Sequence, residues 1–279
     1  MKNQLVMACL LLAVFALSFQ IAEGSDGAVY RQILEEKAPS IVTVKMVLKT
    51  KINFMGQAQD NERTIEVPGV IVDGSGLIMI AADALSAGRE LSRLGDIDLK
   101  VTPTKLEVIF EDDDEEYEAI LGAKDTNLNL AFVQIKNLEG KEIAPVLFAG
   151  GAKMVVGSEL IGVTRYSKGF DYAPYFGTIR ITGEVTHPRP LWAIDGSFHG
   201  VGLPVFNEKG VTVGVLATQE GSEGAEDQSG GRMGMLFSLV DAAQGSNVFL
   251  LTAETVAATV IQAKKQAHEA LKKEADEDD

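Results

Sequence analysis

The chain has 279 residues, with 40 acidic against 25 basic side chains and a formal net charge of −15. Such a length holds one large all-β domain or two small ones with a substantial core, and its acidic surface repels phosphate backbones and anionic lipid, which excludes nucleic acid and peripheral membrane binding from the expected partners. Glycine is frequent at 28 residues while aromatics are sparse, a composition that suits many turns between apolar strands rather than a disordered chain.

Lys2 precedes an apolar run from Leu5 to Leu17, and small residues follow, ending in Ala22 and Gly24. The run is short for a membrane-crossing helix, and the order basic, apolar, small is that of a secretory signal over residues 1–24. An uncleaved anchor is the alternative. Cys9, the only cysteine, lies inside the run rather than after it, so neither lipidation nor a disulfide is expected. There is no Asn-x-Ser/Thr sequon. The expectation is an exported protein, periplasmic or extracellular and of bacterial type, with no membrane span left after cleavage.

Beyond the signal, Asp26 is placed to cap a short helix carrying Val29, Ile33 and Leu34, which Ala38-Pro39 stops. Ser40 to Leu48 reads as a strand, and the polar stretch from Thr50 to Arg63 as a surface loop. Strands are expected over Thr64 to Val72, Leu77 to Ile80, Lys105 to Phe110, Tyr117 to Gly122 and Leu130 to Ile135, with a turn at Asp73-Gly-Ser-Gly. The second half repeats the style at Glu159 to Val163, Gly177 to Ile181, Glu184 to Thr186, Gly202 to Phe206, Val211 to Ala217 and Val248 to Leu251. Gln219 to Arg232, rich in glycine and acid, reads as a mobile loop. Many short strands at regular spacing argue for a sandwich or barrel over a parallel sheet. Thr252 then caps a helix with Val256, Val260, Ala263, Ala267 and Leu271 at helical spacing, a stripe suited to docking on the body of the protein. Lys272 to Asp279 closes the chain as a solvated acidic tail.

Four stretches together resemble the trypsin-like serine peptidases, nearest the HtrA (DegP) branch. Gly69 to Leu85 (GVIVDGSGLIMIAADAL) is similar to that family's segment ending in T-N-A-H-V-V. Ala123 to Ile135 (AKDTNLNLAFVQI) is similar to D-x-x-x-D-L-A-V-L-x-I. Val156 to Val163 with Gly177 to Val185 resembles G-D-x-V-x-A-I-G and G-x-V-x-x-G-I-V. Gly200 to Val215 (GVGLPVFNEKGVTVGV) resembles N-S-G-G-P-L-L-N-x-x-G-x-V-I-G-I. The resemblance covers about Ala38 to Thr259, with no room for a following PDZ domain. It implies two six-stranded Greek-key β-barrels, over residues 25–145 and 146–251, with the active cleft between them. Residues 252–279 then form the C-terminal helix and tail.

That family's chemistry needs a nucleophilic hydroxyl, an imidazole that takes its proton, and a carboxylate that fixes the imidazole tautomer. By the resemblance the histidine position falls on Asp83, the aspartate on Asn129 and the serine on Val201. An isopropyl group cannot attack a carbonyl, and an amide in place of the orienting carboxylate costs about 10⁴ in turnover in a working triad. His199 replaces the glycine two residues before the nucleophile. Gly202 keeps the next glycine, and Leu203 replaces the one after it, where a β-carbon is expected to strain or reshape the oxyanion loop. Asp83 beside an aspartate would pair like charges, so Asn129 is expected to hydrogen-bond Asp83 instead.

The residues therefore point to a pseudoprotease without cofactor or metal that binds a polypeptide or protein partner near Asp83, Asn129, His199 and Val201. One alternative is a hydrolase with a relocated site built from Ser197 and His199, or with Asp83 as base. Another is a structural protein that self-associates into a homo-oligomer, a role implied by the resemblance only. The acidic runs Glu111 to Glu116 and Glu220 to Asp227 lack the spacing of a Ca²⁺ loop and read as solvated loops.

Overall fold

A computed structural model describes residues 25–54, 57–86, 98–111, 115–150, 152–187, 189–219 and 248–277. The signal segment and nearly all of the expected mobile loop and second acidic run lie outside them. The first six strands are β1 (Ile41–Phe54), β2 (Gln57–Asp73), β3 (Leu77–Ala81), β4 (Asp98–Ile109), β5 (Glu116–Asp125) and β6 (Leu130–Ile135). They close into a barrel in the order β1-β2-β3-β6-β5-β4. The next six are β7 (Glu159–Arg165), β8 (Pro174–Val185), β9 (Leu191–Gly196), β10 (Pro204–Phe206), β11 (Thr212–Thr218) and β12 (Val248–Thr252). They close in the order β7-β8-β9-β12-β11-β10, which repeats the connectivity of the first barrel. Helix α1 (Ser25–Lys37) precedes the barrels, and helix α2 (Ala253–Glu277) follows them. Two closed six-stranded antiparallel barrels with a C-terminal helix are the fold class that the sequence resemblance implied.

Period-two alternation divides the apolar residues between two cores. Ile78 and Ile80 of β3, with Ala131, Val133 and Ile135 of β6, pack into a cluster made only of first-barrel residues. Leu77, Met79, Leu130 and Phe132, their neighbours on the opposite faces, join a second cluster. It contains the interior of the second barrel (Val163, Ile179, Val205, Val215), Ile33 of α1, and Val256, Ala263 and Ala267 of α2. β3 and β6 are thus buried on both faces, which is why they read as near-continuous apolar runs, with Gln134 of β6 the one polar residue in them.

Three expectations from the sequence need correction. Within the expected loop Thr50 to Arg63, residues 50–54 and 57–63 are instead the far ends of β1 and β2, paired from Ile41 opposite Val70 out to Phe54 opposite Gln57, and residues 55–56 lie outside the described ones. β4 pairs along its other side as far as Asp98 opposite Asn53. These residues continue a register set inside the barrel, so they need no apolar face to be strands. In the second half, Gly177 to Ile181 and Glu184 to Thr186 are one strand, β8, interrupted by a bulge near Gly183. The sixth strand is β9, whose flanking Pro190 and terminal Asp195-Gly196 masked it as turn. The C-terminal tail is helical through Glu277, and Glu274 meets Lys136 at 2.7 Å, so tertiary contact extends the helix past its apolar stripe.

The helices cross-strap the barrels. α1 packs on β7 and β8 of the second barrel, whereas α2 packs mainly on β5 of the first and also touches β11 of the second. Thr252 caps α2, its Oγ1 accepting the Thr255 amide at 3.3 Å. The small side chains in the α2 stripe permit close approach: a β-carbon on Gly122 of β5 would lie 2.7 Å from the Ala267 Cβ. Lys264 of α2 donates to Asp73 Oδ2 at 2.7 Å. Burial would push the Asp73 carboxyl up, but the hydrogen bonds from Lys264 and Ser75 outweigh it and hold the carboxyl below its ordinary value. That contribution is present above the unfolded-state carboxylate range and is lost as the pH falls through the depressed value.

A second clasp centres on Arg165, at the end of β7. Its guanidinium is buried and donates from Nε to the Ile41 carbonyl and from Nη2 to the Ala38 carbonyl, both at 2.6 Å, and from Nη1 to the Tyr172 carbonyl at 3.1 Å. It also meets Glu111 at 2.6 Å. Tyr172, in the β7–β8 loop, donates its hydroxyl to Glu66 of β2 at 3.1 Å. Burial and the Glu66 carboxylate push that phenol up to about 12. The acidic run at 111–116 is therefore not simply solvated. Glu111 binds Arg165, Glu115 accepts from the Tyr117 hydroxyl at 3.3 Å, and Glu116 accepts from Lys45 at 2.6 Å, while residues 112–114 lie outside the described ones.

Two substitutions test these straps. Arg165→Met leaves two buried carbonyls and a carboxylate without their donor and is expected to cost on the order of 3 kcal/mol in urea denaturation. Gly122→Ala is expected to cost about 1–3 kcal/mol because α2 must move away from β5, and limited proteolysis should then release the C-terminal helix first.

Candidate functional site at the inter-barrel seam

The pairing of β3 with β6 carries the site. Ala81 lies opposite Leu130, and the Ala82 amide extends the ladder by donating to the Asn129 carbonyl at 2.9 Å. Asp83 follows β3 in a short 3₁₀ turn, Ala82–Ser86. Asn129 closes the turn before β6 with φ 56°, a left-handed conformation that asparagine tolerates better than most residues. Both side chains thereby reach the same point at the edge of the first barrel.

Asn129 Nδ2 donates to Asp83 Oδ2 at 2.5 Å, so the hydrogen bond expected from the sequence is present and direct. Thr218, the last residue of β11 in the second barrel, donates its hydroxyl to the same Oδ2 at 2.5 Å. Asn129 Nδ2 also contacts Thr218 Oγ1. The three side chains form a closed polar triangle across the seam. Beside it, Gln219 Nε2 donates to the Leu128 carbonyl at 3.4 Å. The sequence reading did not single out Thr218. It lies one residue past the expected strand end, and nothing local distinguishes it. The packing of the second barrel against the end of β3 brings it to Asp83.

The loop 197–203 abuts the triangle. Gly202 has φ +84°, and a β-carbon there would lie 2.4 Å from the Ala81 amide nitrogen and 2.9 Å from the Ile80 carbonyl carbon. No side chain fits at this position, where the second barrel's loop presses on the end of β3. The Gly202 amide donates to the Leu216 carbonyl at 2.7 Å, and the Leu216 amide donates to the Leu203 carbonyl at 3.1 Å. The strain expected at Leu203 does not arise. Leu203 is absent from the residues with positive φ and is fully buried in the shared core. The constraint falls on Gly202 instead, because the loop turns there.

Val201 is half-buried, and its amide donates to the His199 carbonyl at 2.9 Å. His199 is exposed. Ser197 is also exposed, with Oγ 3.4 Å from both the amide nitrogen and the carbonyl oxygen of Thr178. Among the described residues no hydrogen bond joins Ser197 to His199. Phe198, between them, is buried in the second barrel against Gly162, Gly177 and Gly200, whose added β-carbons would fall 2.1, 3.1 and 2.3 Å from its atoms. It anchors the loop in the barrel. The two remaining histidines lie on other elements: His187 is in the exposed turn after β8, 3.0 Å from Thr186 Oγ1, and His268 is on the exposed face of α2.

Chemically, the triangle offers one hydroxyl, one amide and one carboxylate. The Thr218 proton points at Asp83, the arrangement of a nucleophile and a base. However, a carboxylate is a weaker base than an imidazole, and the hydroxyl also contacts the Asn129 amide. Among the described residues no group of three or more histidine, cysteine, aspartate or glutamate side chains is arranged to hold a metal ion.

No protein-family model matches this chain, and neither does the sequence of any curated protein. Among solved structures, the chain is similar to Deg5, at 17% identity and a TM-score of 0.49 over 69% of this chain and 86% of that one. It is also similar to an inactive form of Rv3671c from M. tuberculosis H37Rv, at 14% identity and a TM-score of 0.49 over 88% of this chain and 96% of that one.

The geometry predicts the effect of Asn129→Asp. A second carboxylate would then meet Asp83 at hydrogen-bond distance, and like charges that close resist joint ionisation. The variant is expected to lose about 1–3 kcal/mol at pH 7 by thermal or urea denaturation. The pair's apparent pKa rises on folding, so the deficit should shrink as the pH falls toward 4 and a shared proton restores the hydrogen bond.

Proposed function

We propose that this chain is a degenerate relative of the trypsin-like serine peptidases, nearest the HtrA branch, that no longer cleaves peptide bonds and uses the inter-barrel seam to bind a polypeptide. One observation carries this reading. The position matching the family's nucleophile is Val201, and its amide is spent on the His199 carbonyl of its own loop. Both the attacking atom and one of the donors that would face an oxyanion are missing.

Two further features support it. Asp83, Asn129 and Val201 fall in the family's order along the chain, and Asp83 and Asn129 meet at the seam, where Gly202 brings the 197–203 loop against β3. The scaffold that would position a triad is kept, and polar side chains of other types fill it. The relocated site built on Ser197 and His199 is disfavoured, because Ser197 faces the Thr178 backbone rather than an imidazole. Export to a periplasmic or extracellular space belongs to the same proposal and rests on the signal-like residues 1–24.

The purified protein is expected neither to cleave casein nor to be labelled by a fluorophosphonate. The triple variant Val201→Ser, Asp83→His, Asn129→Asp is expected to remain a poor catalyst. The loop amide still points at His199, and each misdirected oxyanion donor costs about 10²–10³ in rate. Turnover by the unmodified protein that Ser197→Ala abolishes would replace this reading with a relocated active site.

A further inference from the structure

Asp83 is more than a filler of the seam. Its carboxylate is exposed, and two donors from different barrels, Asn129 Nδ2 and Thr218 Oγ1, hold its Oδ2. An exposed aspartate normally samples several rotamers, whereas this one is fixed, with the hydrogen-bonding capacity of Oδ1 left over. Among the described residues no lysine, arginine or histidine side chain pairs with it. The donors that satisfy Oδ2 are neutral, so they orient the charge without cancelling it.

We infer that Asp83 is the anchoring group of a subsite for a basic side chain, arginine or lysine, of a polypeptide lying in the seam. The inference rests on the reading above that the seam binds a polypeptide, and it names the chemistry that the seam selects. A carboxylate fixed before binding spares the bound pair much of the ordering cost that weakens most surface ion pairs. The net charge of −15 acts in the same direction at long range, drawing basic segments toward the molecule and turning acidic ones away. The half-buried Val201 gives the adjoining loop an apolar surface against which the stem of a long basic side chain can lie.

Asp83→Asn is a clean probe, because the amide oxygen can still accept from Asn129 and Thr218 while the charge is gone. A phage-displayed library of random 12-residue peptides panned on the purified protein supplies the ligand. Synthetic peptides of the recovered sequence are then measured by fluorescence anisotropy at low and high salt. The expected result is a shared arginine or lysine in the recovered peptides. Replacing it by glutamine, or making Asp83→Asn, should each weaken binding about three- to tenfold, with the two losses not additive and both shrinking at high salt. Peptides that bind and are blocked by Val201→Arg, but carry no basic residue or bind Asp83→Asn unchanged, would overturn the subsite and leave the seam as a polypeptide site. Failure to recover any peptide that Val201→Arg blocks would overturn both.

Discussion

The structure depends on the burial of β3 and β6 on both faces. Alternate residues of these two paired strands enter different cores, one belonging to the first barrel alone and the other shared with the second barrel and both helices. Neither strand can shift by one residue without exchanging Ile78 for Met79 or Phe132 for Val133, so the register is fixed from both sides. The site inherits that precision. Asp83 follows the last residue of β3, Asn129 precedes the first residue of β6, and the Ala82 amide bonds the Asn129 carbonyl. Gly202 then presses the second barrel's loop onto the end of β3, where even a methyl group would collide with backbone.

Three further devices hold the barrels in one relation. Arg165 ties the end of β7 to the carbonyls of Ala38 and Ile41, where the chain enters the first barrel. A guanidinium suits this task because its planar set of donors can satisfy several carbonyls at once and remains charged at any working pH. Tyr172 extends the same clasp to Glu66. The helices complete it by crossing over, α1 to the second barrel and α2 chiefly to the first. A seam held at so many points behaves as a fixed surface.

On the reading proposed above, the seam keeps the positions of a peptidase triad but fills them with unlike side chains. A triad needs charge to move, from hydroxyl to imidazole and on to a developing oxyanion. The Asp83–Asn129–Thr218 triangle instead distributes neutral donors around one stationary carboxylate. Asparagine at position 129 avoids a second negative charge and also accepts the left-handed backbone of that turn. Valine at position 201 leaves nothing to ionise. What remains is a static electrostatic feature, suited to holding a charge rather than passing a proton.

The sequence by itself determined much of this. Short apolar strands with turn residues between them specified an all-β molecule, and the resemblance carried by the motif order implied twin barrels. The helix from Thr252 was legible in its cap and in the spacing of Val256, Val260, Ala263 and Ala267. These features are local, or follow from periods of two and 3.6 residues that a linear sequence displays. Tertiary structure alone decided the rest. The polar segments 50–54 and 57–63 are strand because register set inside the barrel carries them, although their composition is that of a loop. Thr218 joins Asp83 because two barrels meet, and no residue near it in sequence announces the partner. Leu203 is unstrained because the loop turns at Gly202, and Arg165 is a clasp because its acceptors Ala38 and Ile41 lie more than a hundred residues away. Each is a contact between segments far apart in the chain, and such contacts are fixed by the packing of whole elements rather than by the preferences of the residues that make them.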